Sequence, residues 1–385
     1  MSTKIIACSH CVLDTTDDPS IVFDNDGICN YCLDYRQQEL HHVPSADMAA
    51  VKLASTIEEI KKAGEGKRYD SLLGLSGGVD SSYLALQAKH WGLRPLIVHF
   101  DNGWNSELAV SNIEKTIATL GFDLHTLVIQ WEEFRDLQVA FLKASVVDIE
   151  MVTDHAITAT LYRLALKENI KFILSGTNVV TEAILPPHWI HHKADYIHIR
   201  AIQKEFVGKP FRTYPLLDLR TRVMANLKGI HSVSPLNLIP YNKDKAKQEM
   251  MAELGWRDYG GKHYESIFTR FYQGYILPTK FKIDKRRAHL ATLICSKQLT
   301  RGEALTELTK PIYESELLRL DYDFVLKKLG LTKAEFEKIM SDPPKAHSEY
   351  QIETDIYSRY PVLKLARPFW LALKGQLKKQ NGHNH

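Results

Sequence analysis

Residues 69–82 read YDSLLGLSGGVDSS, which predicts a short apolar strand, a glycine turn and the first turn of a helix. Gly77 and Gly78 allow the backbone to approach a ligand closely, and the amides at a helix start attract an anion. The phosphate loop of the G-x-x-x-x-G-K-[ST] type needs a lysine after its last glycine, and none follows here. We therefore expect a loop that holds phosphate without the fixed positive charge used for β,γ cleavage.

Strand signals and helix signals alternate along the first half of the chain. The apolar runs PLIVHF, LHTLVI and KFILSG read as further strands, and helical patterns separate them. This alternation predicts an α/β fold with a doubly wound parallel sheet. Such sheets bind ligands beyond the carboxyl ends of their strands, where the polar clusters SGGVDSS, DNGW and SGTNVVTE fall.

The composition is that of an ordinary soluble enzyme. The 385 residues are 44% apolar and 25% charged, with a net charge of +3, which does not indicate a nucleic-acid partner. No apolar run approaches the roughly eighteen residues of a spanning helix. The start, MSTKIIACSHC, is a poor signal peptide, so we expect a cytoplasmic protein without a transmembrane segment.

Four of the five cysteines lie near the start of the chain. Cys8, Cys11, Cys29 and Cys32 form two C-x2-C pairs that are seventeen residues apart. This spacing predicts a structural Zn²⁺ site, because four thiolates complete a tetrahedral shell. A disulfide framework or a redox pair is the alternative, and nothing in the sequence indicates export.

The loop SGGVDSS resembles the S-G-G-x-D-S loop of the PP-loop ATP pyrophosphatases, also called adenine nucleotide alpha-hydrolase-like proteins. The resemblance implies that ATP is cleaved to AMP and pyrophosphate. Asp80 faces phosphate only if a cation lies between them, so Mg²⁺ is implied as well. The implied ATP contacts are Ser76, Gly77, Gly78, Asp80, Ser81 and Ser82 in the loop, Asp101 and Asn102 after the second strand, and Gly176, Thr177, Asn178 and Glu182 after a later strand. For DNG, a helix-capping turn remains an equal alternative.

The residues that the chain lacks indicate which nucleophile attacks the activated group. Cys295, the only cysteine outside the zinc set, lies on an apolar helical pattern typical of core packing, which disfavours sulfur transfer. Residue 2 is Ser, and there is no G-x-C-x-G elbow, so a catalytic glutaminase cysteine is not indicated. Ammonia would then come from a partner protein or from solution.

Several long motifs in order resemble the WbpG-like N-acetyl sugar amidotransferases of bacterial surface-polysaccharide (LPS O-antigen) biosynthesis. They include CSHCVLDTTDDPSIVFDNDGICNYC, LLGLSGGVDSSYLA, HFDNGWNSELA, LSGTNVVTE and GWRDYGGKHYESIFTRFYQGYILPTKFKIDKRRAHLATLICS. The resemblance implies conversion of an acetamido group to an acetamidino group on a nucleotide-linked sugar. It also implies ammonia from a glutaminase subunit that resembles the histidine-biosynthesis enzyme, with a cyclase-like subunit alongside.

The remaining site residues are hypotheses within this resemblance. Cations for the α-phosphate are assigned to Lys280 and Arg286, and His263 is assigned to the proton that ammonia loses. Substrate contacts are assigned to Lys193, Asp195 and Lys262. The histidines around Lys193 lack a clean i, i+4 ligand pair in a helical frame, so substrate or phosphate contact is favoured over a second metal there.

The expected domains are a zinc knuckle over 1–40, a PP-loop domain over 41–183 and a mainly helical substrate-binding or partner-binding region over 184–385. A tRNA-thiolating enzyme with the same loop and a zinc knuckle is the alternative function. That enzyme would require salt-sensitive tRNA binding and a source of sulfur.

Overall fold

The computed structural model describes residues 5–260 and 264–354. Its centre is a parallel sheet of five strands in the order β3-β2-β1-β4-β5. The strands are β1 Ser71–Gly74, β2 Pro95–Asp101, β3 Leu124–Val128, β4 Phe172–Leu174 and β5 His231–Val233. The chain leaves β1 towards β2 and β3 and later returns to the other side of β1, so the strand order reverses between β1 and β4. The predicted doubly wound sheet is confirmed.

Fifteen α-helices surround and extend this sheet in the described part of the chain. In the first half they are α1 Asn30–His42, α2 Ala46–Ala63, α3 Val79–His90, α4 Glu107–Leu120, α5 Trp131–Ala144, α6 Met151–Lys167 and α7 Val179–Glu182. The second half contains α8 Tyr196–Phe206, α9 Leu219–Leu227, α10 Lys243–Leu254, α11 Ile267–Phe271, α12 Lys285–Cys295, α13 Arg301–Thr309, α14 Ser315–Leu329 and α15 Lys333–Ser341.

The sheet is covered on both faces because neighbouring residues of a strand point to opposite sides. Leu73 and Ile97 are buried in a cluster with residues of α3, α4 and α10 on one face. Leu72 and Leu96 are buried in a second cluster with residues of α6 and α9 on the other face. The continuous apolar runs of β1 and β2 follow from this burial on both sides.

Strand β5 was not predicted from the sequence. It has only three residues, His231–Val233, of which two are exposed, so it carries no apolar run. It pairs with β4 through the register Ile173–Ser232 and lies beyond the expected domain boundary at residue 183. The boundary itself stays a prediction, but the sheet extends past it.

The C-terminal region is helical in the residues described. Helix α11 continues into a π-helical segment, Tyr272–Phe281, which contains Pro278 and ends at Lys282 with a φ of 61°. Residues of this segment, of α12 to α15, of α5 and of the N-terminal knuckle share one hydrophobic core. In the described part of the chain, no helix combines the length and the apolar character needed to cross a membrane.

Candidate active site

The loop between β1 and α3 has the shape that its glycines predict. Gly77 has a φ of 82°, and a Cβ atom there would lie 2.7 Å from the carbonyl oxygen of Ala109 on α4. Only glycine fits this close approach without strain. Hydrogen bonds within the loop stabilise it. The Gly78 amide donates to Ser76 Oγ at 3.2 Å, and the Ser76 and Ser81 hydroxyls lie 3.1 Å apart. The strand–turn–helix context predicted for this loop is confirmed.

Two aromatic residues from the segment after α10 contact the same loop. Trp256 Nε1 donates to the carbonyl oxygen of Gly77 at 3.1 Å, and the amide of Val79 donates to Tyr259 Oη at 3.1 Å. Val79 is the first residue of α3, so Tyr259 lies at the helix N-terminus where an anion is favoured. Burial raises the pKa of Tyr259 well above its usual range, which keeps the hydroxyl protonated. Neither residue was predicted as part of the site.

Asp80 joins the loop after β1 to the loop after β4. Its Oδ1 atom accepts a hydrogen bond from Asn178 Nδ2 at 3.2 Å and another from Tyr241 Oη at 2.6 Å. Asn178 is buried and also caps α7 by accepting from the Thr181 amide at 2.9 Å. The loops after β1 and β4 therefore meet at the point where the strand order reverses, which is where open parallel sheets bind ligands.

A close backbone approach sets the distance between these two loops. A Cβ atom on Gly176 would lie 3.2 Å from the carbonyl carbon of Asp80 and 3.3 Å from the Ser81 amide nitrogen. Gly176 therefore lets the loop after β4 pack directly on the first turn of α3. Of the loop serines, Ser82 is buried, and its hydroxyl has no hydrogen-bond partner in the described structure.

The loop after β2 forms a closed turn. Asp101 Oδ1 accepts from the Gly103 amide at 2.8 Å, and the buried Asn102 accepts from the Trp104 amide at 3.1 Å. These bonds form a local turn that does not itself cap a helix, because the N-cap of α4 is Ser106. An additional ATP contact of Asp101 or Asn102 stays a proposal.

The C-terminal region is attached to this turn at both ends. The Ser106 amide donates to the Glu265 carbonyl at 2.8 Å, and the Ile267 amide donates to the Trp104 carbonyl at 2.8 Å. From α14, the Lys328 ammonium donates to the Gly103 carbonyl and lies 4.8 Å from the ring centre of Trp104. The region after residue 264 therefore contacts the carboxyl end of the sheet.

The two predicted catalytic cations make their contacts elsewhere. The buried Lys280 donates to Ser145 Oγ at 2.9 Å and to the carbonyl of Ile339. Burial lowers the pKa of Lys280. Arg286 forms an ion pair with Asp284 at 2.8 Å. These contacts do not include the loop after β1, and a catalytic role for either residue stays a prediction.

The predicted substrate residues are only partly described. Lys193 forms ion pairs with Asp148 at 2.7 Å and with Asp154 at 2.9 Å. Burial alone would lower the pKa of Lys193, but these two carboxylates raise it above its usual value. Asp195 caps α8, where its carboxylate accepts from the His198 amide at 3.0 Å. Lys262 and His263 lie outside the described residues.

The four N-terminal cysteines form a buried cluster that fits Zn²⁺. Their Sγ atoms are separated by 3.9 Å for Cys8 and Cys32, 3.7 Å for Cys11 and Cys29, and 3.6 Å for Cys29 and Cys32. A tetrahedral ion with Zn–S bonds of about 2.3 Å requires sulfur separations of about 3.8 Å. The Cys29 amide donates to Cys8 Sγ at 3.3 Å, as expected for a thiolate acceptor. The cluster is therefore able to hold zinc, as the spacing predicted.

The knuckle is fastened to the C-terminal helices. Arg287 on α12 pairs with Asp17 at 2.7 Å and also contacts Asp14, and Arg301 on α13 donates to the Cys11 carbonyl at 2.9 Å. Cys295, at the end of α12, is half-buried, and its Sγ atom lies 3.6 Å from Cys32 Sγ. It packs against the hydrophobic core to which the four N-terminal cysteines also belong.

Three histidines, His191, His198 and His347, form a second group of potential metal ligands. The Asp148 amide donates to His347 Nε2 at 3.2 Å, so the proton of a neutral His347 ring is on Nδ1. Nδ1 lies 2.8 Å from His198 Nε2 and donates to it. These two facing nitrogens thus share a proton and cannot both bind a metal in this arrangement.

Comparisons with known proteins agree with part of the sequence-based interpretation. Residues 265–364 match the family described as LPS biosynthesis protein WbpG-like, C-terminal domain. The resemblance to WbpG-like proteins is thus confirmed over that range, which includes α11 to α15. No curated protein sequence matches the chain.

Two solved structures illustrate the structural similarities. NMN synthetase from Francisella tularensis shares 15% identity at a TM-score of 0.29, covering 53% of this chain and 82% of its own. The NH3-dependent NAD synthetase from Campylobacter jejuni subsp. jejuni NCTC 11168, in complex with the nitrate ion, also shares 15% identity, at a TM-score of 0.28. It covers 54% of this chain and 84% of its own.

Proposed function

We propose that the protein is an ATP-dependent amidotransferase that converts the acetamido group of a nucleotide-linked N-acetyl sugar into an acetamidino group. One observation carries the proposal: a lysine-free glycine loop at the strand-order reversal occurs in one chain with a WbpG-like C-terminal domain. The description of that domain refers to LPS biosynthesis, and this supports a surface-polysaccharide sugar as the substrate.

The loop after β1 has the features of a pyrophosphate site. Gly77 and Gly78 bring the backbone close to the ligand, and the N-terminus of α3 favours its negative charge. The hydroxyls of Ser76 and Ser81 provide additional donors at the mouth of the loop. Asp80 would repel phosphate on its own, so the proposal includes Mg²⁺ between them. Asn178 and Tyr241 keep the Asp80 carboxylate in place for that ion.

The proposed reaction has two steps. The acetamido oxygen attacks the α-phosphorus of ATP, an O–P bond forms, and pyrophosphate leaves with the electrons of the broken P–O bond. Ammonia then adds to the activated carbon, loses a proton and expels AMP, so NH replaces O in the product. Both steps place extra charge on α-phosphate oxygens, where positioned donors and cations are most effective.

Donors for that charge would come from outside the loop. Lys280 and Arg286 stay the cations predicted for that charge, His263 is our proposed proton acceptor and Lys262 our proposed substrate contact; Lys262 and His263 lie outside the described residues. In the described chain on either side, Tyr259 Oη accepts from the Val79 amide, and Glu265 Oε1 would lie 3.5 Å from a Cβ atom on Gly78. The ammonia would be supplied by a glutaminase partner, as the resemblance to WbpG-like proteins implies; the lack of a glutaminase motif in this sequence is compatible with that source.

The proposal is tested by incubating the protein with ATP, Mg²⁺, an ammonium salt and a panel of nucleotide-linked N-acetyl sugars. We expect a sugar-dependent release of pyrophosphate and AMP in equal amounts. The product should differ from the sugar by exchange of O for NH in its mass spectrum. A parallel reaction contains tRNA and a sulfide source instead of sugar and ammonium. Pyrophosphate release that depends on tRNA and on no sugar would favour the thiolating alternative and overturn the proposal.

A further inference from the structure

A cavity of about 580 Å³ opens beside the candidate active site. One wall consists of helices α1 and α2, and the other consists of the loops that follow β4 and β5. The cavity therefore lies at the carboxyl ends of the strands, on the side of β4. Its size is within the range of about 300–1,000 Å³ that is usual for small-molecule sites.

One residue of the cavity wall is hydrogen-bonded to the phosphate loop. Asn178 lines the cavity and donates to Asp80 Oδ1 at 3.2 Å. A ligand in the cavity would thus be one side chain away from the loop in which we place pyrophosphate. Both sites are thus at the carboxyl ends of the strands.

The wall formed by the loops after β4 and β5 mixes polar side chains, the Glu182 carboxylate among them, with apolar ones, and hydrogen bonds hold several of the polar groups in place. Thr177 Oγ1 lies 3.1 Å from Ser234 Oγ, so these two hydroxyls form a hydrogen-bonded pair across the two loops. Asn237 Oδ1 accepts from the Val179 amide at 2.9 Å, which fixes the Asn237 side chain at the start of α7. Hydroxyl and amide groups in fixed positions suit the hydroxyls of a sugar.

The opposite wall provides positive charge. Lys52 on α2 and His42 at the end of α1 are the basic residues that line this cavity, and both are exposed. An ammonium group binds phosphate oxygen as a point charge, and an imidazole donates a hydrogen bond to it. The two walls together therefore match a ligand that is a polyhydroxyl ring at one end and a phosphate at the other.

We propose that this cavity is the acceptor site, where Lys52 and His42 bind the diphosphate of the nucleotide carrier and the N-acetyl sugar lies against Ser234 and Asn237. The inference rests on the proposed function and adds to it the location of the acceptor and the side chains that bind it. It also gives the zinc knuckle a role in binding. Helix α1 follows its N-cap Cys29, contains Cys32 in its first turn and ends at His42, so the metal cluster sets the position of one cavity wall.

The test measures binding by titration calorimetry with UDP-N-acetylglucosamine, UDP and α,β-methylene ATP as separate probes. Lys52→Ala should weaken the binding of UDP-N-acetylglucosamine and of UDP about tenfold, the effect of losing about 1.4 kcal/mol of phosphate contact. Binding of α,β-methylene ATP should not change. His42→Ala should act in the same direction. Lys62→Ala, an exposed lysine on the same helix that does not line this cavity, is the matched control and should bind all three probes like the wild type.

The outcomes separate this inference from the proposed function. Unchanged UDP binding in both Lys52→Ala and His42→Ala, no binding of either UDP probe by the wild type, or displacement of UDP by α,β-methylene ATP would each overturn the acceptor site. Sugar-dependent pyrophosphate release with an unchanged sugar KM in Lys52→Ala would remove this site but leave the proposed reaction. Lys52-dependent sugar binding without pyrophosphate release from any sugar would leave the binding site but overturn the proposed reaction.

Discussion

Tyr241 donates a hydrogen bond of 2.6 Å to the Asp80 carboxylate, although 161 residues separate the two in the sequence. Tyr241 is buried, and burial together with the nearby Asp80 charge raises its pKa well above the usual range. The hydroxyl is therefore a permanent donor that fixes Asp80 in the first turn of α3. The position of the acidic residue in the loop thus depends on a residue outside it.

Tyr241→Phe should reduce the rate of pyrophosphate release about tenfold or more, because a hydrogen bond to a charged group contributes about 1.5–3 kcal/mol. The fold should be retained, since the aromatic ring stays. Tyr83→Phe is the matched control: Tyr83 packs on Tyr241 with ring centres 5.5 Å apart but donates to Glu249. Equal rates for Tyr241→Phe and Tyr83→Phe would show that the bond to Asp80 does not contribute.

The purified protein should contain one zinc ion per chain. Plasma emission spectroscopy measures the metal, and Cys29→Ser should lose it. His198→Gln should keep it. The hydrogen bond between His347 Nδ1 and His198 Nε2 prevents these two nitrogens from binding a second ion together. A ratio of two ions per chain that falls to one in His198→Gln would show that the histidine group binds metal and that the hydrogen-bonded arrangement is not the one in solution.

A stability measurement distinguishes a structural role of Lys280 from a catalytic one. Its ammonium donates hydrogen bonds to Ser145 and to the Ile339 carbonyl, so Lys280→Met should lower the free energy of unfolding by about 1–3 kcal/mol. Urea denaturation provides this measurement. We expect KM for ATP to stay within about threefold of the wild type, a difference of less than 1.4 kcal/mol. A loss of kcat without loss of stability would instead support the catalytic role inferred from the sequence.

The stability of the protein should fall as the pH is lowered. Burial lowers the pKa of His155 from 6.5 to about 4, while its Nδ1 faces the Lys193 carbonyl at 2.7 Å and its Nε2 accepts from the Leu217 amide at 2.9 Å. Below pH 6.5 the unfolded chain takes up a proton that the folded chain excludes. The free energy of unfolding therefore falls, by up to about 1.4 kcal/mol per pH unit for this residue.

The matched variant for this effect is His155→Gln, whose amide is able to donate to one partner and accept from the other without titrating. Urea denaturation between pH 7 and pH 5 should show a shallower loss of stability in this variant than in the wild type. Identical slopes for the two proteins would contradict the assignment of His155 as a buried neutral ring.

The sequence was sufficient where a structural feature is encoded by neighbouring residues. The shape of the loop that contains Gly77 and Asp80 was predicted because the strand, the glycine turn and the helix start occur within fourteen residues, 69–82. The cysteine cluster was identified because ligand spacing is itself a local signal. Strand β5 was missed because three residues with two exposed side chains give no apolar pattern.

Contacts between distant segments were not predictable. Tyr241, Trp256 and Tyr259 are ordinary aromatic residues in sequence, and only the packing of α10 against α3 brings them to the loop. For Lys280 the sequence does not separate two roles, because a buried lysine that binds a carbonyl and a catalytic lysine have the same sequence signal. Core packing of Cys295 was predicted, but its proximity to Cys32 was not.

The transfer of the acetamido oxygen to AMP tests the central claim most directly. The acceptor is a nucleotide-linked N-acetyl sugar that carries a heavy-oxygen label only in its acetamido carbonyl, with ATP, Mg²⁺ and ammonium present. Mass spectrometry of the wild-type reaction should show the label in the phosphate group of AMP, and Asp80→Ala should form at least about a hundredfold less labelled AMP. Unlabelled AMP, label in inorganic phosphate, or full turnover by Asp80→Ala would contradict adenylylation of the amide oxygen at this loop.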